Sequence, residues 1–539
     1  MKFFTIRFNF DLKKGERILR FLRNHNILLL VVFLSIISVG GFIFNYITGF
    51  GLLYNDARSH LDIGRRAVEN LKPGFAQLGS VWLPLPHFLM IFTVWNDFMW
   101  HSGLSGAIQS MVSYVATSIL IYLLLKELGV DIFGRLMGVG VFALNLNIIY
   151  MQSTAMTELL LIATMTAATY ELVKWYKDEN LFRFIRIAFW VLLSTLIRYD
   201  GWLLFLYIAM IVFLHMLRKY GYKKTEGVLI LFATLAGFGI FLWIFWNLMI
   251  FKDPLYFIFG PYSANAQQKA MEMAGALPTK HNLYVSFITY VYAFVYNTNP
   301  FIVFVASIGA LLMMFDRRIS GAVRIALTTL FVPFFFNVLA LYLGHSSLYV
   351  KDFMASWFNV RYGLVMIPTI AVFSGYFVYR VKSMRYLFLG LFFLVTFFTY
   401  VSRDAVSLDD AVSGSSGKNV KEVSGWLKDN AGQKEGFVLI SVASHDAIIF
   451  SSGMQMSRFI HEGTGDYWDL ATTHPASWAR WIILRTNDEN DNTYRLLRYN
   501  KEFINNYKLV HNYPFADIYE LKDRYLVNLN TQPVSYLNK

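Results

Sequence analysis

The chain has 539 residues, of which 56% are hydrophobic, 18% aromatic and only 15% charged. Soluble domains run near a quarter charged, so this composition excludes an ordinary soluble protein. There is no cysteine, which excludes disulfides, thiolate metal sites and cysteine nucleophiles. The net charge of +13 is uneven: residues 1–401 hold 33 Lys+Arg against 18 Asp+Glu, and residues 402–539 hold 15 against 17. The surplus base therefore belongs to the apolar region, where membrane topology accounts for it. The tail lacks the basic and aromatic stripe that nucleic acid would require.

Residues 1–26 are polar and basic, carrying Lys2, Arg7, Lys13, Lys14, Arg17, Arg20 and Arg23. The apolar run 27–49 is long enough to cross a bilayer of roughly 30 Å and too long for a signal-peptide core. Further apolar runs lie at 104–125, 132–150, 157–175, 184–197, 202–216, 228–251, 300–315, 322–343, 362–379 and 386–401, giving about 11 spans over 27–401. Alternate connections are basic. With the N-terminus they hold 23 Lys+Arg, and the opposite set before the tail holds 10. This asymmetry predicts a cytoplasmic N-terminus and an extracytoplasmic tail in a plasma-membrane protein.

Two of the outer connections are long. The first, 50–103, contains an amphipathic stretch from Asn55 and an apolar stretch at 84–100 that lies along the membrane surface. The second, from residue 252 to about 299, carries a surface helix around 283–296. Residues 402–418 read as a linker. Residues 419–539 read as a small α/β domain, with helices at 419–430 and 494–505 and strands at 437–442, 478–485, 507–510 and 516–521. The predicted fold class is a polytopic α-helical membrane protein with a small extracytoplasmic α/β domain.

Four polar motifs sit at outer ends of the apolar runs. In Tyr54-Asn55-Asp56-Ala57-Arg58-Ser59-His60, Asn55 reads as an N-cap, placing Asp56 in a first helical turn with His60 on the same face. Asp56 is either a helix-capping carboxylate or a general base at the membrane edge. Glu158 follows Met156-Thr157 and is either a site carboxylate or a member of a capping box with Thr154. Arg198-Tyr199-Asp200-Gly201-Trp202 is either an interface ion pair with aromatic anchors or a piece of a site. Asn359-Val360-Arg361-Tyr362 puts an arginine on the outer side against the charge bias, suited to clamp phosphate oxygens or to anchor the interface. Asp409-Asp410 in the linker reads as solvated charge, and no histidine spacing suggests a zinc site.

The order of these motifs resembles the GT-C membrane glycosyltransferases, particularly glycosyltransferase family 39, with its protein O-mannosyltransferases and aminoarabinose transferases. The resemblance covers most of the chain and rests on Asp56, the Trp82-Leu83-Pro84-Leu85-Pro86-His87 stretch, Glu158, Arg198 to Gly201 and Asn359 to Tyr362. It departs from the family at Ala57, where an acidic residue is common, and at Trp82-Leu83, where Tyr-Pro is usual. Asp466-Tyr467-Trp468-Asp469 is similar to the Trp-Trp-Asp motif of oligosaccharyltransferases but lacks its paired tryptophans, and reads as a turn.

The resemblance implies sugar transfer from a polyprenyl-phosphate donor to a glycan, lipid or protein acceptor, with inversion. Asp56 and Glu158 would be catalytic, with a divalent cation (Mg or Mn) on them as an option. Arg361, Arg198 and Tyr362 would hold the donor phosphate. Arg58, His60, Trp82, His87, Asp200 and Asn359 would bind substrate. Two other classes use the same polar residues: a transporter or flippase of lipid-linked glycans, and an assembly protein that keeps the fold without activity.

Overall fold

The structure is a computed structural model and describes residues 26–260, 263–414 and 417–534. Nearly all of the basic N-terminal segment lies outside the described residues. Among them, seven helices are long and apolar enough to cross a membrane: Asn26–Thr48, Leu104–Glu127, Asp200–Tyr220, Tyr222–Phe251, Gly321–Tyr342, Val360–Arg380 and Arg385–Gly414. The pair Leu283–Thr298 and Pro300–Phe315, bent by 109°, makes an eighth if taken as one span. Pro300 causes the break. It cannot continue a helix but starts one well, and the Asn299 side chain accepts the Phe301 N–H at 2.9 Å to cap the new helix. The chain is an integral membrane protein.

Eleven spans were expected. Three of the expected runs form helices that miss that length or apolarity: Ile132–Ala143, Glu158–Asp178 and Leu181–Thr195. Each nevertheless joins the same two ends of the bundle as its neighbours. At one end the basic connections are tied together by ion pairs: Glu127 with Lys177 at 2.8 Å, Glu179 with Lys219 at 2.8 Å, Asp131 with Arg385 at 3.5 Å, and Asp316 with Arg380. At the other end Asn145 and Asn147 donate to the Asn297 carbonyl at 2.8 and 3.1 Å, and Ser407 bonds Asn147 and Asn297. Glu158–Asp178 is buried along almost its whole length, so protein rather than lipid surrounds it. An inner helix of this kind needs no continuous apolar surface, and hydropathy under-reports it.

The first long connection forms Asn55–Val68, Leu85–Val94 and Asp97–His101. Leu85–Val94, from the stretch expected along the membrane surface, buries His87, Met90 and Val94 and exposes Phe88 and Phe92. The expected 283–296 helix is Leu283–Thr298. The stretch expected as a linker carries a helix, Val406–Gly414, whose Val406, Ser407, Asp410 and Ala411 are buried.

The tail builds one five-stranded sheet from β1 (Phe437–Leu439), β2 (Phe459–Ile460), β3 (Ala479–Leu484), β4 (Tyr507–Asn512) and β5 (Asp517–Leu521), in the order β2-β1-β3-β5-β4. β1 is parallel to β2 and β3, and β5 is antiparallel to β3 and β4. The apolar β3 is covered on both faces, while β4 exposes Lys508 and Leu509 at the sheet edge. Asp466 to Asp469, expected as a turn, opens the helix Asp466–Thr473. The tail docks on the first connection. Lys72 meets Asp466 at 2.7 Å, Gln77 donates to the Gly463 carbonyl at 2.7 Å, and Trp100 packs edge-on against Phe450.

Close backbone approach fixes the segment that carries Arg361. A Cβ at Gly363 would meet the backbone of Ala293 and Phe294 in the Leu283–Thr298 helix. Gly363→Ala must therefore push the two packed backbones apart, at an overpacking cost of about 1–3 kcal/mol. We expect a lower thermal midpoint for the detergent-solubilised variant, and an unchanged midpoint would contradict this packing.

Candidate functional site

The four motifs meet at the tail-bearing end of the bundle. Asp56 is the second residue of Asn55–Val68, in its first turn as expected. Asn55 is not the cap. That position is Tyr54, and the Asn55 amide donates to the Gly414 carbonyl at 3.0 Å instead. Glu158 opens Glu158–Asp178 without forming a capping box, because the Thr154 hydroxyl donates to the Met151 carbonyl at 2.7 Å. Its carboxylate is thereby left to face the site.

Arg361 lies in a 3-10 segment, Val360–Met366, that several bonds hold in place. Asn359 adopts the left-handed region at φ 53°, which asparagine tolerates, and its amide donates to the Ser347 carbonyl at 3.0 Å. The Val360 N–H donates to Asp410 Oδ2 at 3.1 Å, and the Val360 carbonyl accepts from Asn297 at 2.7 Å. Tyr290 donates to the Tyr362 carbonyl at 3.2 Å.

The side chains form one alternating charge chain. Arg361 donates from Nη2 to Asp56 Oδ2 at 2.5 Å and from Nε to Glu158 Oε1 at 3.1 Å. Arg198 donates from Nη1 to the same Glu158 oxygen at 3.3 Å and from Nε to Asp200 Oδ2 at 3.4 Å. The expected Arg198–Asp200 pair thus exists, but it belongs to the larger cluster. The Arg361 guanidinium lies 4.7 Å from the Tyr54 ring centre and 5.2 Å from that of Tyr362; Arg198 lies 5.0 Å from Tyr362. Aromatic faces stabilise the two cations without consuming their N–H donors.

Burial decides which atoms are available. The Glu158 side chain is 0% exposed and Asp56 is 39% exposed, so of the two carboxylates that share Arg361 only Asp56 opens to an incoming group. Glu158 Oε2 and Asp200 Oδ1 are buried acceptors without a partner among the described residues. Such atoms are costly unless a ligand or water donates to them.

The remaining expected residues fall into two groups. His60 and His87 are buried together, His60 Nδ1 lying 2.7 Å from His87 Nε2, with Trp82 against His60 at a ring separation of 4.3 Å. Burial first, then the charges of Arg361 and Arg198, push His60 down to about 3. Arg58 is buried two residues beyond Asp56, a spacing that turns it to a different helix face, and Asn359 is engaged with Ser347.

Two residues in the cluster were not expected there. Tyr54 stacks on Arg361 and donates to Asp410 Oδ2 at 3.0 Å and to the Ser407 carbonyl at 2.8 Å. Asp410, expected as solvated charge, is 4% exposed and joins Tyr54 to Val360. The only sequence signal was Tyr54 beside Asp56.

A divalent cation fits the carboxylates poorly. Arg361 occupies the space between Asp56 and Glu158, and no group of three His, Asp or Glu side chains suited to a metal exists among the described residues.

No protein-family model and no curated protein matches the chain. Solved structures do. ArnT from Cupriavidus metallidurans bound to undecaprenyl phosphate superposes with a TM-score of 0.57 at 8% identity, over 93% of this chain and 99% of that one. The Archaeoglobus fulgidus oligosaccharyltransferase in the apo form gives a TM-score of 0.51 at 13% identity, over 85% of this chain and 69% of that one. The chain therefore has the GT-C fold of membrane glycosyltransferases. At these identities the likeness concerns the fold alone.

Proposed function

We propose that the protein is an inverting glycosyltransferase that moves a sugar from a polyprenyl-phosphate donor to an acceptor hydroxyl at the outer face of the plasma membrane. The observation that carries this reading is the single guanidinium, Arg361, held between a buried carboxylate and a half-exposed one at one end of an apolar bundle. The GT-C fold, and the undecaprenyl phosphate bound by the ArnT neighbour, support it.

The donor's apolar tail stays in the bilayer, which keeps its reacting carbon at the membrane edge. The acceptor oxygen attacks the anomeric carbon as the bond to phosphate breaks. Asp56, the accessible carboxylate, takes the hydroxyl proton. The phosphate leaves as an anion without a proton of its own, so one base suffices and the configuration inverts. Arg361 and Arg198 offset the charge on the departing phosphate. Phosphate oxygens compete with Asp56 for the same Arg361 N–H groups, so donor binding draws the cation away and leaves the Asp56 oxygen free to take the acceptor proton. Glu158, shared by both arginines, keeps them aligned, and its second oxygen accepts from a substrate hydroxyl.

Asp56→Asn is nearly isosteric and keeps an oxygen for Arg361. In purified protein in lipid, supplied with a panel of polyprenyl-phosphate sugars and candidate acceptors, we expect turnover to fall by ~10²–10⁴-fold with donor affinity largely kept. Full transfer activity in the folded variant would remove Asp56 as base, whereas no transfer by the parent with any donor would favour the transporter or inactive-fold readings.

The orientation is tested separately. The chain has no cysteine of its own, so single cysteines at the exposed positions Lys223 and Gln433 report cleanly. An impermeant thiol reagent on intact cells should label position 433 and spare 223. The reverse pattern would invert the topology.

A further inference from the structure

Resting on the transferase reading, we infer that His60 is a specificity residue for the donor sugar, presenting an unprotonated Nε2 as a hydrogen-bond acceptor beside the Trp82 ring. The hydrogen-bond chain behind it fixes this state. His87 Nδ1 lies 3.0 Å from the Leu78 carbonyl oxygen, which can only accept, so His87 carries its proton on Nδ1. Its Nε2 is therefore the acceptor for His60 Nδ1 at 2.7 Å, and His60 must donate from Nδ1. That leaves the lone pair of His60 on Nε2.

Burial keeps the pair neutral. His87 is 0% exposed and His60 4%, and an imidazolium there would stand close to two guanidiniums that already hold the neighbouring carboxylates. An arginine cluster meant only for phosphate would gain from a third cation. Here the chain places a neutral acceptor instead. Such an acceptor does nothing for a phosphate oxygen, but it does bond a hydroxyl.

The neighbours point to which hydroxyl. His60 shares a helix face with Asp56, one turn further along, and is near enough to Arg361 and Arg198 for both to lower its proton affinity. A group directly attached to a phosphate on those arginines would therefore lie against His60. Trp82, with its ring centre 4.3 Å from that of His60 and 36% of the residue exposed, adds an apolar face. An apolar aromatic face beside a fixed acceptor suits a pyranose, whose ring has C–H faces and a hydroxyl rim.

The test separates sugar from phosphate. His60→Asn keeps a donor for His87 in place of Nδ1–H but offers nothing at the Nε2 position, whereas His60→Gln carries an amide oxygen to about that position. The binding of undecaprenyl phosphate, and of undecaprenyl phosphate carrying mannose, glucose or 4-amino-arabinose, is measured for each purified variant in nanodiscs. We expect the parent to bind one sugar-bearing lipid more tightly than the bare phosphate. His60→Asn should lose about tenfold of that gain, the worth of one hydrogen bond, with bare-phosphate affinity unchanged, and His60→Gln should recover most of it. A full sugar gain in His60→Asn, equal losses in both variants, or no sugar gain in the parent would overturn the inference while leaving phosphate binding intact. A parent that binds none of the four lipids would overturn the transferase reading and this inference together.

Discussion

The bonds from Arg361 to Asp56 and Glu158 join three points of the chain that lie in the first connection, at the head of an inner helix and at the start of a late span. A buried carboxylate such as Glu158 is tolerable only with a cation beside it; removing one partner of a buried pair typically costs about 3–5 kcal/mol. The fold around it is arranged to keep that cation in place. The left-handed turn at Asn359, the Asp410 bond to Val360, the close approach at Gly363 and the ring of Tyr54 each constrain Arg361 from a different side.

A cluster with three carboxylates and two guanidiniums is not saturated. Glu158 and Asp200 each keep a buried oxygen without a partner among the described residues, and Asp56 is open on one side. A purely structural ion-pair network would close such atoms off, whereas a site that takes a polar ligand leaves them for it. The tail contributes through position. Its contacts fall on the first connection, and the helix that leads into it supplies Asp410, so the domain and Asp56 share one support.

Much of this was legible in the sequence, for identifiable reasons. Asp56, Glu158, Arg198 and Arg361 stand out because each interrupts apolar sequence on the side that the Lys/Arg asymmetry leaves poor in charge. The helical class follows from run length. Four things were hidden. The partnership of residues 56, 158 and 361 depends on helix packing that no local pattern encodes. Asp410 sits among Ser, Gly and Asp, a composition that reads as solvent-exposed whether or not a helix docks there. The inner helix Glu158–Asp178 carries less apolar sequence because protein covers it, while Ile132–Ala143 and Leu181–Thr195 are too short to count as spans by themselves, so hydropathy and length separate all three from their neighbours even though they join the same ends. The two-residue β2 was also too short to signal itself.

The central claim is that Arg361 exchanges a carboxylate for the donor phosphate and thereby frees Asp56. A cryo-electron microscopy structure of the protein in nanodiscs with undecaprenyl phosphate tests it most directly. The account predicts the phosphate within hydrogen-bonding distance of the Arg361 guanidinium, with the bond to Asp56 lengthened or broken and the bond to Glu158 kept. A phosphate bound elsewhere, with the Arg361–Asp56 bond intact, would contradict it.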